Sequence, residues 1–290
     1  MSHATTLAAV VTQPGFWRAA VTLLAVGTST GLLGCVLLAR RLALLADVLA
    51  HSMLPGVGIA WLISGVSVPA LLIGALGAGL ATALGSGLIS RFTALAEDAA
   101  SAALFTTMFA TGLLLAAATG GSEELLHLLA GDVLGIERGD AVLAVAMAAL
   151  TLAFFALCER GIIMECFDPE FHRASGGYGK AIHLGLLALV VVALVVALRS
   201  VGAILAVGLF MLPAATAALW SRSWRGRLTV AAVLGGLGPV LGLALACRLG
   251  ITPGACIVTT LGAVFLLSLP VGAVYRAIRR ARAQALAGTT

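Results

Sequence analysis

The run AIHLGLLALVVVALVVAL, from Ala181 to Leu198, contains no aspartate, glutamate, lysine or arginine. An uncharged apolar run of this length is long enough to cross the ~30 Å hydrocarbon core of a bilayer as a helix. The rest of the chain has the same character, because 61% of its 290 residues are hydrophobic and only 10% are charged. The sequence therefore excludes an ordinary soluble domain and indicates an integral membrane protein.

Seven further charge-free runs repeat this pattern along the chain. They lack the alternation of apolar and polar residues that is typical of a membrane β-barrel, so only helices can satisfy the backbone within lipid. The predicted fold class is all-α, a polytopic transmembrane helical bundle. It has nine spans, or eight if one of them is re-entrant or broken. The nine candidate spans are residues 19–39, 42–63, 67–90, 99–118, 141–158, 181–199, 201–220, 228–247 and 255–275.

The basic residues predict the orientation of these spans. With the C-terminus in the cytoplasm, 13 of the 17 Lys and Arg residues lie on the cytoplasmic side, and the opposite orientation reverses that ratio. The positive-inside rule therefore predicts an external N-terminus and a cytoplasmic C-terminus. The same rule explains the net charge of +5 without nucleic acid as a partner. Residues 1–290 are predicted to form a single transmembrane domain, with 1–18 as an external or interfacial segment and 159–180 as a cytoplasmic loop.

Two ionisable residues interrupt the apolar second span. A helix rises 1.5 Å per residue from Arg41, which places Asp47 roughly 9 Å and His51 roughly 15 Å into the membrane. Their four-residue spacing places both side chains on one helix face. One interpretation is a carboxylate–imidazole hydrogen bond that satisfies both groups inside a bundle. The other is a metal site, because this oxygen and nitrogen suit zinc, manganese or iron, and a two-fold dimer would supply two copies of each ligand.

A proline and a glycine follow this pair within the same span. Pro55 removes a backbone donor and Gly56 relaxes packing, so the helix is expected to bend or unwind just beyond His51. Broken helices are common at the mid-membrane binding sites of transporters. Pro55 and Gly56 are therefore candidates for lining a pathway or for a kink.

The longest polar stretch on the predicted cytoplasmic side is ERGIIMECFDPEFHRASGGYGK, residues 159–180. Within it, Asp168, Pro169 and Glu170 form a typical helix start, and Gly176 with Gly177 ends the helix. The expected two-turn helix could dock a partner through Phe167 and Phe171, or it could be a solvated connector.

The chain is not expected to hydrolyse ATP. Its single lysine, Lys180, has Ala174 six residues before it and Ala181 after it, where a phosphate-binding P-loop requires Gly and Ser or Thr. Any drive from ATP must therefore come from another subunit.

Four stretches together resemble the membrane permease of bacterial ABC importers for zinc, manganese and iron. The resemblance runs from about Gly31 to Leu269. Its most specific parts are GLLGCVLLARRLALLADVLAHSMLPGV (31–57), FDPEFHRASG (167–176), SVGAILAVGLFMLPAATA (200–217) and CIVTTLGAVFLLSL (256–269).

This resemblance implies several properties as expectations. The chain would lie in the bacterial inner membrane, pair with a second permease copy, and work with cytoplasmic ATPases and an external metal-binding protein. Asp47 and His51 resemble the family's metal-coordinating pair, and residues 167–176 resemble the helix that couples the permease to the ATPase. Pro213 matches a family proline beside the pathway, with packing as its expected role. The transported ion would be a substrate, with no permanently bound cofactor.

The external loop departs from the family pattern, because this chain has HLLAG at 127–131 where an aromatic-rich motif is usual. Glu123, Glu124 and His127 could hand a metal ion to the pathway, or they could form an acidic docking surface.

Two other functions fit the same residues. A proton-coupled secondary metal transporter would use Asp47 as a proton relay, and an intramembrane metalloenzyme would use Asp47 and His51 as ligands. The enzyme is disfavoured because no HExxH motif is present. For the transported ion, HSMLPG resembles the manganese and iron members of the family more than the zinc members. Manganese is therefore favoured, with iron and zinc as alternatives.

Overall fold

The computed structural model describes residues 15–65, 67–119, 131, 133–168, 171 and 179–287. Within these ranges the structure consists of helices and connecting turns, with no β-strand. The helices are α1 (Phe16–Ala39), α2 (Leu45–Ser52), α3 (Leu54–Ser64), α4 (Val68–Phe92), α5 (Glu97–Thr119), α6 (Arg138–Phe167), α7 (Gly179–Val201), α8 (Ala203–Trp220), α9 (Trp224–Leu249) and α10 (Pro253–Ala287).

The described part of the chain contains nine helical segments that are long and apolar enough to cross a membrane. The predicted all-α bundle is therefore confirmed, with α2 and α3 together forming one span, Leu45–Ser64. Two helix ends differ from the sequence prediction by more than four residues. Helix α6 continues nine residues beyond the expected end at Cys158, and α10 continues to Ala287 through the arginine-rich tail. Residues 159–167 contain no proline and a single glycine, Gly161, which a helix tolerates at a cost of about 1 kcal/mol. Arg and Ala in the tail are good helix formers, so neither helix stops where its apolar run stops.

Helix α1 is the centre of the bundle, since 78% of its apolar window is buried. It packs against α6, α7, α8 and α9. Three glycines one turn apart allow this close approach. A Cβ atom at Gly27, Gly31 or Gly34 would overlap backbone atoms of α9 or α8. Small residues serve this purpose in membrane helices, where contact between backbones replaces the hydrophobic drive of a soluble core.

A Schellman turn ends α1 and returns the chain to the membrane. Leu42 donates its backbone N–H to the carbonyl of Leu37 at 2.8 Å, and Arg41 donates to Leu38 at 3.2 Å. Arg41 takes a left-handed conformation, with φ of 61°, as this motif requires. The turn fixes where α2 begins and therefore how deep Asp47 lies in the membrane.

The second span is interrupted only at Met53, two residues before Pro55. Met53 keeps right-handed helical angles, and backbone hydrogen bonds from Met53 to Leu49 and from Val57 to Met53 continue the helix. Gly56 lies against α4, where a Cβ atom would overlap the carbonyl of Gly74. In this structure Gly56 serves close packing of α3 on α4.

Candidate functional site: the Asp47–His51 face

Asp47 and His51 lie on one face of α2, as their spacing predicts. Nε2 of His51 is 3.7 Å from Oδ1 of Asp47, which is too long for a strong hydrogen bond. The Asp47 side chain is 49% exposed and that of His51 is 31% exposed. The structure therefore leaves both groups open at the surface of a single chain. An internally satisfied pair inside the bundle does not describe this arrangement.

Two phenylalanines of α5 hold the imidazole of His51. Its ring centroid lies 5.8 Å from that of Phe105 and 5.4 Å from that of Phe109, both with edge-to-face geometry. The two phenyl rings stack on each other, 5.7 Å apart. Sequence reasoning missed these contacts, although the four-residue spacing of Phe105 and Phe109 placed both rings on one face of a predicted helix.

The charge of Asp47 and the unpartnered nitrogen of His51 indicate that this face binds a further ligand. An aspartate at the centre of a membrane helix costs about 2.5–3.5 kcal/mol in lipid, so an exposed one must meet water, protein or a cation. The Nδ1 atom of His51 is buried and has no hydrogen-bond partner in the described structure. Buried polar atoms of this kind are rare. Within the described residues, no cluster of three or more Asp, Glu, His or Cys side chains forms a metal cage.

A second polar cluster lies at the cytoplasmic ends of α1, α6 and α7. Nη1 of Arg40 donates a hydrogen bond to Nδ1 of His183 at 2.8 Å. Oε1 of the buried Glu165 is 3.9 Å from Nη2 of Arg40 and 3.4 Å from Nδ1 of His183. The sequence prediction did not include this cluster, because its three members are far apart in the chain.

The external end of the bundle contains another buried acid. Asp140, in the first turn of α6, forms an ion pair with Arg199 in the last turn of α7. Asp140 also accepts a hydrogen bond from the backbone N–H of Glu137, as part of a capping box. This pair joins two spans, and sequence reasoning missed it as well.

The predicted coupling segment is described only in part. The carboxylate of Asp168 accepts a hydrogen bond from the backbone N–H of Phe171 at 3.0 Å, as an N-cap residue does. Phe167 and Phe171 are 61% and 57% exposed, and the Phe167 ring contacts Trp224 with centroids 5.8 Å apart. Residues 159–167, predicted as part of the loop, belong to α6. Pro169, Glu170 and Gly176 lie outside the described residues.

The remaining predicted positions fall into two groups. Pro55 and Pro213 are buried in the bundle, and Pro213 lies beside Gly31, where a Cβ atom would be 3.6 Å from that of the proline. The external candidates Glu123, Glu124 and His127 lie outside the described residues.

A bundle whose described part has nine apolar helical segments, and which exposes an acid–imidazole pair within one span, has the features of a membrane transport protein. The chain belongs to the ABC 3 transport family, whose sequence pattern matches residues 13–272. The family resemblance seen in the sequence is therefore confirmed. The chain is a multi-pass inner-membrane permease of the ABC importer type and is not itself an ATPase.

Three similar proteins illustrate this family. The chain is 31% identical over 251 residues to the manganese import system permease protein ScaB of Streptococcus parasanguinis, covering 87% of this chain and 88% of ScaB. It is 31% identical over 257 residues to the chelated iron transport system membrane protein YfeD of Yersinia pestis, covering 88% and 85%. Among solved structures, PsaBC of Streptococcus pneumoniae in complex with Fab superposes with a TM-score of 0.77 and 28% identity, covering 89% and 92%. None of these names describes a proton-coupled transporter.

Proposed function

We propose that this chain is the permease subunit of an ATP-driven importer for a divalent transition-metal ion. Asp47 and His51 would be the residues that bind the transported ion. Manganese is the favoured ion, and iron and zinc are the alternatives. The ion would cross the membrane along a pathway between two permease copies. The observation that carries the proposal is the exposed, incompletely partnered Asp47–His51 face within a membrane span.

The two-copy pathway follows from the number of ligands. One chain offers one carboxylate and one imidazole at this face, and a divalent ion held by two protein ligands would stay largely hydrated. Two chains related by a two-fold axis would supply two oxygens and two nitrogens. With both imidazoles neutral, the two carboxylates carry a charge of −2 that balances one divalent cation. The partner would also cover the exposed face of α2, which lipid would cover only at a cost in free energy.

The identity of the ion follows from the ligands and from the relatives. Carboxylate oxygen and imidazole nitrogen suit manganese, iron and zinc, and the absence of a thiolate from this pair disfavours Cu(I). ScaB is named as a manganese permease and YfeD as a chelated iron permease. The HSMLPG sequence after Ala50 resembles the manganese and iron members of the family more than the zinc members, and manganese is the favoured ion of the three.

Energy would come from separate cytoplasmic ATPase subunits, because the sequence around Lys180 does not form a P-loop. The segment from Phe167 to Gly176 would dock on the ATPase as the coupling helix. An external metal-binding protein would deliver the ion, and Glu123, Glu124 and His127 are candidates for its docking surface or for the hand-off. Residues 1–290 would act as one transmembrane permease domain.

The test measures radioactive manganese uptake into proteoliposomes that hold the permease with its ATPase and external binding protein. Asp47→Asn and His51→Ala should each lower uptake by more than about tenfold, because even residues outside the first ligand shell change metal affinity 10- to 100-fold. Asp98→Asn, which changes an exposed acid at the start of α5, is the matched control and should keep full uptake.

Near-normal uptake by both site variants would remove Asp47 and His51 from the pathway. Uptake that persists with a catalytically inactive ATPase and follows a proton gradient would favour the proton-coupled alternative. Competition by iron and zinc in the same vesicles would rank the three ions.

A further inference from the structure

A cavity of about 500 Å³ opens at the cytoplasmic ends of α4, α6 and α7, away from the Asp47–His51 face. Its charged lining comes from Arg40, Arg91, Lys180 and Glu165, together with the imidazole of His183. Arg91 lies in the last turn of α4, and Lys180 is the second residue of α7. These positions put the cavity at the level of the lipid headgroups of the cytoplasmic leaflet.

The hydrogen bond between Arg40 and His183 determines the charge of this lining. A guanidinium group can only donate, so Nδ1 of His183 is the acceptor in this contact, and His183 is not counted toward the charge of the lining. Arg40 then balances the buried carboxylate of Glu165. Arg91 and Lys180 have no carboxylate within 4.0 Å among the described residues. Among the described residues, Arg40, Arg91, Lys180 and Glu165 therefore give the lining a net charge of +2, and this surplus favours an anionic ligand.

The apolar part of the lining identifies the source of the anion. Leucines of α4 and α7 form the wall next to the basic residues, and three of them are exposed on membrane-spanning helices: Leu84 by 46%, Leu88 by 57% and Leu184 by 50%. A free phosphate ion makes no use of such a wall, whereas the acyl chains of a phospholipid do. Basic pockets between transmembrane helices on the cytoplasmic side are known binding places for anionic lipid headgroups.

We propose that this cavity binds an anionic phospholipid of the cytoplasmic leaflet. Its phosphate lies against Arg91 and Lys180, and its acyl chains run along Leu84, Leu88 and Leu184. The lipid links the ends of α4 and α7, which join the α2–α5 part of the molecule to the rest of the bundle. This site is separate from the metal pathway and does not depend on it.

The first experiment titrates the purified full-length chain in detergent with phosphatidylglycerol and with phosphatidylcholine of the same acyl chains, and it counts bound lipids by native mass spectrometry. One phosphatidylglycerol should bind in preference to phosphatidylcholine. The double variant Arg91→Gln/Lys180→Gln should weaken that binding about 30-fold, as expected for the loss of two cations near an anionic headgroup. Arg222→Gln removes an exposed cytoplasmic arginine outside the cavity and should leave the binding unchanged.

The second experiment locates the bound lipid with a variant that leaves the charge of the cavity unchanged. Leu184→Trp introduces a fluorophore at the apolar wall, and brominated phosphatidylglycerol should quench its added fluorescence more strongly than brominated phosphatidylcholine. Equal quenching by the two lipids would overturn the proposal. Displacement of bound phosphatidylglycerol by inorganic phosphate alone would show a free-phosphate site and would also overturn it, as would unchanged lipid binding in the double variant.

Discussion

The carboxylate of Asp140 accepts a hydrogen bond from Nε of Arg199, and this ion pair joins the start of α6 to the end of α7. Asp140 is buried, so removal of its partner leaves a charge that water reaches poorly. Arg199→Gln should therefore lower the free energy of unfolding by about 1.5–3 kcal/mol, the range for hydrogen bonds to charged groups. The measurement is the thermal unfolding midpoint of the purified chain in detergent.

Arg18→Gln is the control for this variant, because Arg18 is exposed at the same external side and forms no ion pair with an acid among the described residues. A double variant with Asp140→Asn should recover part of the lost stability, since the unpaired charge is then gone. Equal midpoints for Arg199→Gln and the unchanged chain would mean that the pair contributes nothing to stability.

Close packing at α1 makes a second prediction about stability. A Cβ atom at Gly34 would overlap the carbonyl of Phe210 on α8, so Gly34→Ala should force the two helices apart. Overpacking of this kind costs about 1–3 kcal/mol. Gly77→Ala is the matched control, because nothing lies within 4 Å of a Cβ atom at that position of α4.

The control should be neutral or slightly stabilising, since glycine inside a helix costs about 0.5–1 kcal/mol relative to alanine. Thermal unfolding of both variants under identical detergent conditions gives the comparison. If the two variants had the same midpoint, close packing between α1 and α8 would not limit the stability of the bundle.

Pairing of two copies along α2 can be tested by crosslinking. Leu44 lies three residues before Asp47 on the same side of the helix and is 61% exposed, whereas Leu54 is only 3% exposed. If the exposed face of α2 lies between two copies, Leu44→Cys should crosslink to its twin in membranes with a short bifunctional thiol reagent. Leu54→Cys should not, because its side chain faces the interior. Labelling of Leu44→Cys by lipid-soluble reagents alone would contradict the dimeric pathway.

The sequence was sufficient for the number and type of the spans but not for their contacts. Length and lack of charge identify a membrane helix, so runs such as Ala181–Leu198 define the architecture directly. Helix ends were less predictable, because the helical backbone of α6 continues past Cys158 where the apolar composition stops. Which glycines lie at crossings, such as Gly34, also could not be predicted, since almost every face of these helices is apolar.

The candidate site was predictable only where its members lie on one helix. The Asp47–His51 pair follows from i,i+4 spacing within α2. Contacts that join distant spans depend on how the helices assemble. Examples are the ring contact between Phe109 and His51 and the hydrogen bond from Arg40 to His183. Their side chains carry no signal in the sequence that specifies the partner.

Coupling to an ATPase makes a prediction about Phe171, which is 57% exposed and follows the N-cap residue Asp168. If this ring docks in the partner subunit, Phe171→Asp should weaken the association about tenfold or more, since burial of a phenylalanine is worth roughly 1.5–3 kcal/mol. Phe171→Leu keeps an apolar side chain and should retain most of the binding. Co-purification of the ATPase and metal uptake are the two measurements, and normal values of both for Phe171→Asp would remove this segment from the interface.

The aromatic contacts of His51 make a last prediction, about metal affinity. Phe109 packs edge-to-face against the imidazole, with centroids 5.4 Å apart, and so limits the orientations that the ring can adopt. Phe109→Leu keeps apolar volume but removes the aromatic contact, which is worth about 0.5–1.5 kcal/mol. If His51 is a metal ligand, a looser imidazole must be ordered when the ion binds, so the KM for manganese uptake should rise about two- to tenfold.

Leu113→Ala, which truncates an exposed side chain one turn further along α5, is the control and should leave the KM unchanged. A rise in KM for Phe109→Leu with an unchanged unfolding midpoint would assign Phe109 a positioning role, whereas an unchanged KM would show that the orientation of His51 does not limit metal binding.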